Sequence, residues 1–245
     1  MTAPLFLADL DGLAVGDRLV LDGDEGRHAA VVKRITAGEA ITVSDGAGRA
    51  LRVLVDEVTR SGVAGAVTDD LTRPEPALRF HVVQALAKGD RQDLALELLT
   101  ELGATVVTAW QSHRSITRWD AARAAKNLAK WQAVCREATK QSRRHWVPAV
   151  TEHVLSTTQL VRLVEQHPGP VLVLHEDATD WIEQVDLPDH GEVVLVVGPE
   201  GGISPGELDQ LTAAGARLVL VSDAVLRTSS AGAVGVALLA ARSRR

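Results

Sequence analysis

The sequence predicts an α/β protein in two parts: a small all-β domain over residues 1–73, and a larger domain with a mainly parallel sheet over residues 74–245. Three observations predict this. Short strand-like segments between glycine and aspartate turns fill the first seventy residues. The proline-containing segment LTRPEPALRF then changes the pattern and marks a boundary. After it, nearly continuous apolar strands alternate with helices, as in a parallel sheet covered on both faces.

The first domain is predicted from the regular spacing of its turns. The turn sequences LDGD, TAGEA, SDGAG and RSGV recur at short intervals, and the segments between them are rich in valine, isoleucine and leucine. This pattern is typical of a small barrel or a sandwich. A helical turn is expected around EGRHAAVVKRI.

The larger domain begins with a strand, a helix and a second strand. LRFHVVQAL is predicted as a buried strand, DRQDLALELLTELG as a helix that ends at Gly103, and ATVVTAWQS as the next strand. The long segment DAARAAKNLAKWQAVCREATKQSRR is predicted as a helix, because apolar residues recur at helical spacing. These residues are Ala124, Leu128, Trp131, Cys135 and Ala138. Lys126, Lys130 and Lys140 are expected on its other faces.

The last part of the chain repeats the alternation. VLVLHED, VVLVVGPEGG and RLVLVS are predicted as strands, and SPGELDQLTAAG and SSAGAVGVALLAARSRR as helices. In the first of these helices, Ser204 is expected as the N-cap and Pro205 as the first helical residue. Glu207 would close a capping box with Ser204.

The charge of the chain is distributed unevenly. The formal net charge is −6. However, nine lysines and arginines against two acids lie between Trp110 and Pro148. Such regional basicity is what a polyanionic partner needs, whatever the total charge. A solvated helix face is the alternative reading of this segment.

Composition also excludes several classes of protein. No apolar run approaches the roughly 20 residues of a membrane span. The N-terminal segment lacks the pattern of a secretory signal. The single cysteine, Cys135, allows no internal disulfide and makes a cysteine-based metal site improbable. We therefore expect a cytoplasmic protein without a metal.

The segment VGPEGGIS lies between a predicted buried strand and a helix start, where ligands bind in open α/β folds. It has no lysine for a Walker loop and no dinucleotide fingerprint. The charge of Glu200 would repel phosphate. The loop should therefore favour a neutral or cationic ligand, with its exposed backbone groups reading the edge of a flat base. A tight turn without a ligand is the alternative.

Polar residues follow two further strands. His175 and Glu176 end VLVLHED, and Arg227, Thr228 and Ser229 lie in LVLVSDAVLRTSSAG. We expect these strand ends to converge with the glycine loop at one edge of the sheet. A hydrogen-bonded structural role for His175 and an ion pair between Arg227 and Glu200 are the alternatives.

The combination of VGPEGGISPGEL and VLRTSSAG resembles the E-type bacterial small-subunit ribosomal RNA methyltransferases, uracil-N(3)-specific enzymes of the knotted SPOUT superfamily. AKGDRQDLALELLTELGATVVTAWQSHRS and KWQAVCREATKQSRRHWVPAV resemble the same family, so the likeness covers nearly the whole chain. This chain departs from the family pattern at Val221-Ser222, where Leu-Gly is common. It also departs at Thr228-Ser229-Ser230, where Thr-Glu-Thr is frequent.

The resemblance implies a PUA-like β-barrel for RNA binding over residues 1–73 and a SPOUT methyltransferase domain with a C-terminal trefoil knot over residues 74–245. It also implies a homodimer that acts on 16S rRNA or the assembled small subunit, with S-adenosylmethionine as cofactor. The sulfonium cation of this cofactor is compatible with a nearby carboxylate. The implied cofactor-binding residues are Leu174, His175, Glu176, Gly198, Pro199, Glu200, Gly201, Gly202, Leu220, Val221, Ser222, Val225 and Leu226.

Two residues are predicted to be catalytic. Arg227 would stabilise negative charge on the uracil ring, and Glu200 would either assist its deprotonation or order Arg227. A further set of basic residues is predicted to bind RNA phosphates: Arg18, Arg27, Lys33, Arg34, Arg114, Arg118, Lys126, Lys130, Arg143 and Arg144. The alternatives are another SPOUT RNA methyltransferase, acting on tRNA or a ribose 2′-hydroxyl, or a non-catalytic RNA-binding assembly factor.

Overall fold

A computed structural model describes residues 3–243, so the outermost ends of the two predicted domains, residues 1–2 and 244–245, lie outside the described residues. The chain divides into two compact units. The first contains the residues up to Glu75 together with Thr139–Val147, and the second contains Pro76–Ala138 and the residues from Pro148 onward. The sequence did not predict that residues 139–147 belong to the first unit, because the helical pattern runs through Ala138 without interruption.

The first unit is built on one five-stranded sheet. Its strands are β1 (Leu5–Leu7), β2 (Arg18–Leu21), β3 (Ala40–Ser44), β4 (Ala50–Val58) and β5 (Val63–Asp70), in the spatial order β1-β3-β4-β5-β2. β1 pairs with β3 in parallel and the other pairs are antiparallel. Between β2 and β3, helix α1 (Gly23–Arg27) runs into a π-helical turn at residues 28–32, where a helical turn was predicted.

The segment Thr139–Val147 is hydrogen-bonded to the turn between β3 and β4. The Gly48 amide donates to the His145 carbonyl at 2.9 Å, and the Val147 amide donates to the Gly46 carbonyl at 2.8 Å. This backbone pairing makes the segment part of the first unit, although residues 76–138 of the second unit precede it in the sequence.

Lys140 corrects one sequence prediction. It was counted in the basic stretch and expected on a face of the long helix other than the apolar one, yet only 6% of it is exposed. Its Nζ donates to Glu25 Oε1 at 2.7 Å. A buried ammonium needs such a partner, because an unpaired charge is costly away from water. Lys140 is therefore a structural residue of the first unit rather than an RNA ligand.

The second unit contains a six-stranded sheet that confirms the predicted parallel arrangement. Its strands are β6 (Leu78–Ala85), β7 (Val106–Trp110), β8 (Ala149–Leu155), β9 (Val171–Leu174), β10 (Gly191–Val197) and β11 (Arg217–Val219). They lie in the order β11-β9-β10-β6-β7-β8, and each neighbouring pair is parallel. The central strands are apolar on both faces, as helices on both sides require.

The helices of this part of the chain are α2 (Arg91–Leu102), α3 (Ala121–Ser142), α4 (Thr157–Gln166), α5 (Pro205–Ala213) and α6 (Thr228–Arg242). Gly103 ends α2 with a φ of 102°, as predicted for a C-cap. Two elements, β8 and α4, had no sequence prediction. β8 is a partly exposed edge strand. The capping box of Ser156 and Gln159 is the signal that would have revealed α4.

Across residues 3–243, no helix is both long enough and apolar enough to span a membrane.

Candidate active site

A cavity of about 770 Å³ lies at the carboxyl ends of β9, β10 and β11. Parallel neighbours present their carboxyl ends at the same edge of a sheet, so the loops that follow these strands meet there. The cavity is lined by every residue predicted to bind the cofactor, and also by Arg114 and Arg227. The predicted convergence of three strand ends is therefore confirmed. The binding of a cofactor by these residues stays a prediction.

The glycine loop, residues 198–204, forms one wall of the cavity. Gly202 has a φ of 71°, a conformation that favours glycine. A Cβ on Gly201 would lie only 3.3 Å from the Arg114 Cβ and carbonyl oxygen, so this glycine lets the two backbones approach closely. The Gly202 amide donates to the Pro199 carbonyl at 2.9 Å and closes the turn. The loop is thus a compact turn with backbone groups near the cavity.

Glu200 is held by residues that the sequence analysis missed. Its Oε1 accepts hydrogen bonds from the Lys88 amide and from Arg91 Nη1, each at 3.0 Å. Arg91 lies 109 residues away in sequence, so no local pattern could indicate this ion pair. The alternative of an ion pair between Glu200 and Arg227 is not supported, since the observed partner of Glu200 is Arg91.

The carboxylate of Glu200 also has one uncommitted oxygen. Oε2 is buried and has no hydrogen-bond partner within residues 3–243. Burial raises the pKa of Glu200, but hydrogen bonds from the Lys88 amide, its own amide and Arg91 outweigh that effect and lower the pKa below its ordinary value. Glu200, a residue of the cavity wall, is therefore an anion at neutral pH.

Arg227 lies at the rim of the cavity as the N-cap of α6, and its side chain is exposed. The next residue fixes its backbone. Thr228 Oγ1 donates to the Gly198 carbonyl at 2.6 Å and accepts from Gln84 Nε2 at 3.0 Å. Ser229, at the position where the family frequently has a carboxylate, is buried. Arg227 thus combines a fixed backbone with a guanidinium that is accessible to a ligand.

His175 and Ser222 also line the cavity. The Nδ1 atom of His175 accepts from the Asp177 amide at 3.2 Å, which matches the structural alternative for this histidine. Ser222 Oγ accepts from the Ala224 amide at 3.1 Å. Among residues 3–243, positive φ at a non-glycine residue occurs only at Arg34 and Arg143, so serine replaces the family's glycine at position 222 without backbone strain.

Glu207 confirms the predicted capping box and makes further contacts. Its Oε2 accepts from the Ser204 amide at 3.1 Å and the Ser204 hydroxyl at 2.7 Å. Its Oε1 accepts from the His113 amide at 2.8 Å and the Thr157 hydroxyl at 2.7 Å. The side chain is 4% exposed. One buried carboxylate therefore joins α5, the start of α4 and the loop after β7.

The predicted RNA-binding residues fall into distinct groups. Three form ion pairs: Arg18 with Asp56 and Glu57, Arg27 with Asp24, and Lys130 with Asp93. Two donate to backbone carbonyls: Arg114 to Gly201 at 3.2 Å and Arg118 to His113 at 2.9 Å. The amide of Arg144 donates to the Thr139 carbonyl. Within residues 3–243, no side-chain partner is seen for Lys33, Arg34, Lys126 and Arg143.

In the same part of the chain, His, Cys, Asp and Glu side chains form no group suited to a metal ion.

We expect acid to destabilise the protein through three carboxylates. A hydrogen bond from His81 lowers the pKa of Glu192. The contacts described above lower the pKa of Glu200 and of Glu207, against the raising effect of burial. A carboxylate with a lowered folded-state pKa contributes stability above its ordinary value of 4.5, and loses it as the pH falls through the lowered pKa.

The urea midpoint of unfolding should accordingly fall once the pH drops below about 4.5 and should change little above about pH 5. In Glu207→Gln the urea midpoint should fall by a smaller amount over the same acidic range, because the substitution removes one of the titrating groups. A midpoint that stays constant far below the ordinary carboxylate range would contradict the prediction.

Comparisons with known proteins point to one family. Residues 73–240 match the family model of the RNA methyltransferase domain. Ribosomal RNA small subunit methyltransferase E of Mycobacterium bovis is 46% identical over 96% of this chain and 90% of its own length. The Bacillus subtilis protein of the same name is 26% identical over 86% of this chain and 85% of its own.

A solved structure shows the same fold. The crystal structure of a ribosomal RNA small subunit methyltransferase E from Neisseria gonorrhoeae, bound to S-adenosyl methionine, superposes with a TM-score of 0.85. It is 27% identical to this chain, and the match covers 98% of both chains. With the family model and the 46% identical relative, this similarity shows that the chain belongs to the ribosomal RNA small subunit methyltransferase E family.

Proposed function

We propose that this chain methylates N3 of a uridine in the 16S rRNA of the small ribosomal subunit, with S-adenosylmethionine as methyl donor. The observation that carries the proposal is the single cavity formed by the three strand-end segments of the parallel sheet. Membership of the family supports the reaction class, and the cofactor bound to the N. gonorrhoeae protein supports the choice of donor.

The residues of the cavity fit this cofactor. Its volume of about 770 Å³ lies within the ordinary range for small-molecule sites. Leu174, Val221 and Leu226 supply apolar walls, and the glycine loop supplies backbone groups. The carboxylate of Glu200 supplies negative charge, which suits a cation. When bound, S-adenosylmethionine supplies an electrophilic methyl group on a sulfonium.

The two predicted catalytic residues have separable roles. The exposed guanidinium of Arg227 at the rim stabilises the negative charge that the uracil ring acquires when its N3 proton leaves. Glu200, with its lowered pKa, is a weak proton acceptor at neutral pH. We therefore assign it a hydrogen bond and a fixed negative charge rather than the role of general base, and the N3 proton passes to solvent at the exposed rim of the cavity. Both residues orient the reactants, which is the main catalytic device for a displacement of this kind.

The lysines and arginines without a side-chain partner within residues 3–243 provide the RNA contacts, and the binding of RNA should weaken steeply with salt. Each phosphate contact adds roughly 0.7 to the slope of log K against log salt for a single strand. Lys126→Ala should lower this slope by about that amount, because its ammonium is exposed and has no partner among residues 3–243.

Arg18→Ala is the matched control for this titration. Arg18 is already neutralised by Asp56 and Glu57 at 2.8 Å, so its removal should leave the slope nearly unchanged. Filter binding of unmodified 16S rRNA over a salt series measures both variants. A wild-type affinity that does not respond to salt would contradict the proposed RNA contacts.

The finer features of the fold are also proposals: a PUA-like β-barrel in residues 1–73, and a trefoil knot in the SPOUT domain of residues 74–245. The contacts near the C-terminus support a knot. The Leu220 amide donates to the Asp180 carbonyl at 2.8 Å, and the Ile182 amide donates to the Leu220 carbonyl at 2.9 Å. The chain segments that follow β9 and β11 therefore lie against each other.

A half-buried apolar stripe on α6, including Val234 and Leu238, supports a homodimer. A ribosomal substrate implies action in the cytoplasm.

The decisive experiment is incubation with a labelled methyl donor and small subunits or naked 16S rRNA that lack the modification. Mapping of the label and nucleoside analysis should find a methylated uracil ring. A methylated ribose, or labelled tRNA, would favour another SPOUT activity. RNA binding without methyl transfer and without calorimetric heat of cofactor binding would indicate an assembly factor.

A further inference from the structure

Glu207 has the contacts of a functional residue as well as those of a helix cap. A capping box needs only the oxygen that accepts from Ser204. In this chain that oxygen is Oε2. The other oxygen, Oε1, accepts from the His113 amide at 2.8 Å and the Thr157 hydroxyl at 2.7 Å. These two contacts lie outside the helix and require a separate explanation.

The His113 amide belongs to the loop between β7 and α3, which carries Arg114. This loop is compact. The hydroxyls of Ser112 and Ser115 are 3.0 Å apart, and both residues are buried. Arg118 Nη2 donates to the His113 carbonyl at 2.9 Å. A loop that is closed on itself in this way moves as a unit, so a single hydrogen bond to the His113 amide restrains its position as a whole.

Arg114, the residue after His113, reaches the glycine loop. Its Nη1 donates to the Gly201 carbonyl at 3.2 Å, and it lines the cavity. Its side chain is exposed and forms no ion pair within residues 3–243. Glu207 therefore holds both sides of this contact: through Oε2 it fixes Ser204 at the end of the glycine loop, and through Oε1 it fixes the amide next to Arg114.

We propose that Glu207 is a positioning residue for RNA binding, which places Arg114 at the mouth of the cavity against an RNA phosphate. The inference rests on the proposed function, because it takes Arg114 as an RNA ligand. Glu207 does not touch the RNA; it acts by holding the His113 amide and so the loop that carries the guanidinium. Each oxygen of the Glu207 carboxylate accepts from two donors. The negative charge strengthens these hydrogen bonds, because bonds to a charged acceptor are stronger than bonds to a neutral one.

Glu207→Gln tests this role with little change of shape. Glutamine is accepted at this position of a capping box, so its oxygen can continue to accept from Ser204. Its NH₂ group would then face the His113 amide, donor against donor, and the anchor of the loop is lost. We expect hydrogen exchange of the His113 amide to accelerate, and the affinity for unmodified 16S rRNA to fall by about tenfold. The calorimetric affinity for S-adenosylmethionine should change far less.

Ser204→Ala is the matched control, because it removes a hydrogen bond from the other oxygen of the same carboxylate. It should lower the thermal stability, as loss of a cap does. The Ser204 amide still donates to Oε2 and the contact of Oε1 with the His113 amide is untouched, so the exchange of that amide and the RNA affinity should stay close to wild type. In an Arg114→Ala background, Glu207→Gln should cause no further loss of RNA affinity. A purely structural role would instead give additive losses.

The possible failures are distinguishable. If Glu207→Gln leaves the exchange of the His113 amide unchanged, or loosens the loop without weakening RNA binding, the inference is overturned and the proposed function is untouched. If Arg114→Ala itself binds RNA like wild type, the assignment of Arg114 as an RNA ligand fails, and the role of Glu207 fails with it. Methyl transfer measured on the same variants shows whether the enzyme activity stands in either case.

Discussion

Arg227→Ala should lower the rate constant of methyl transfer by about 10²- to 10³-fold, the usual cost of removing one group that stabilises a developing anion. The guanidinium is exposed at the rim of the cavity, whereas the backbone next to it is fixed by the Thr228 hydroxyl. Truncation at Cβ should therefore remove the charge and leave the cavity intact. The affinity for S-adenosylmethionine, measured by calorimetry, should stay within about twofold of wild type.

Two variants control this experiment. Arg227→Lys keeps the charge but loses the planar guanidinium, and should recover only part of the rate. Arg162→Ala removes an exposed arginine of α4 that does not line the cavity, and should be as active as wild type. Full activity of Arg227→Ala would remove Arg227 from the catalytic machinery. A parallel loss of rate and cofactor affinity would instead indicate a collapsed cavity.

Lys140→Met should destabilise the protein by about 3 kcal/mol, because it leaves Glu25 without its cationic partner in a site that is largely shielded from water. The Lys140 side chain is 5% exposed and that of Glu25 is 22% exposed. Methionine has a similar length, so the change removes the charge without opening a large cavity. Urea unfolding at neutral pH, followed by circular dichroism, measures the loss.

The double variant Lys140→Met with Glu25→Gln separates the missing charge partner from other effects. With neither charge present, most of the stability should return, since replacing both members of a buried pair is often nearly neutral. Lys126→Met, at an exposed position of the same helix, should change the midpoint little. If Lys140→Met unfolds at the same urea concentration as wild type, the ion pair does not stabilise the first unit.

The elements that follow from local patterns were predictable. The helical spacing of Leu128, Trp131 and Cys135 indicated the buried face of α3, and all three are buried. Ser204, Pro205 and Glu207 fixed the start of α5. The cavity was predictable for a topological reason, since loops after neighbouring parallel strands must meet at one edge. Each of these inferences needs only residues close in sequence or a rule of chain direction.

What could not be predicted depends on pairs that are distant in sequence. Tertiary contacts decide whether a lysine faces water or a carboxylate. The partner of Lys140, Glu25, could not be predicted because it lies 115 residues away in sequence. In the same way, Arg91 carries no motif, and its pairing with Glu200 became visible only in the structure. The capping-box motif accounts for only one oxygen of Glu207, because the donors to the other oxygen, His113 and Thr157, lie 94 and 50 residues away in sequence.

The backbone pairing of residues 46–48 with residues 145–147 bears on how this protein can be cut and recombined. The N-terminal module is not a contiguous cassette: a gene fragment that stops near residue 75 omits the chain that completes it. Exchange of this module between homologues therefore has to carry two separate stretches of sequence. Substitutions in residues 46–48 and in residues 145–147 are expected to be inherited together.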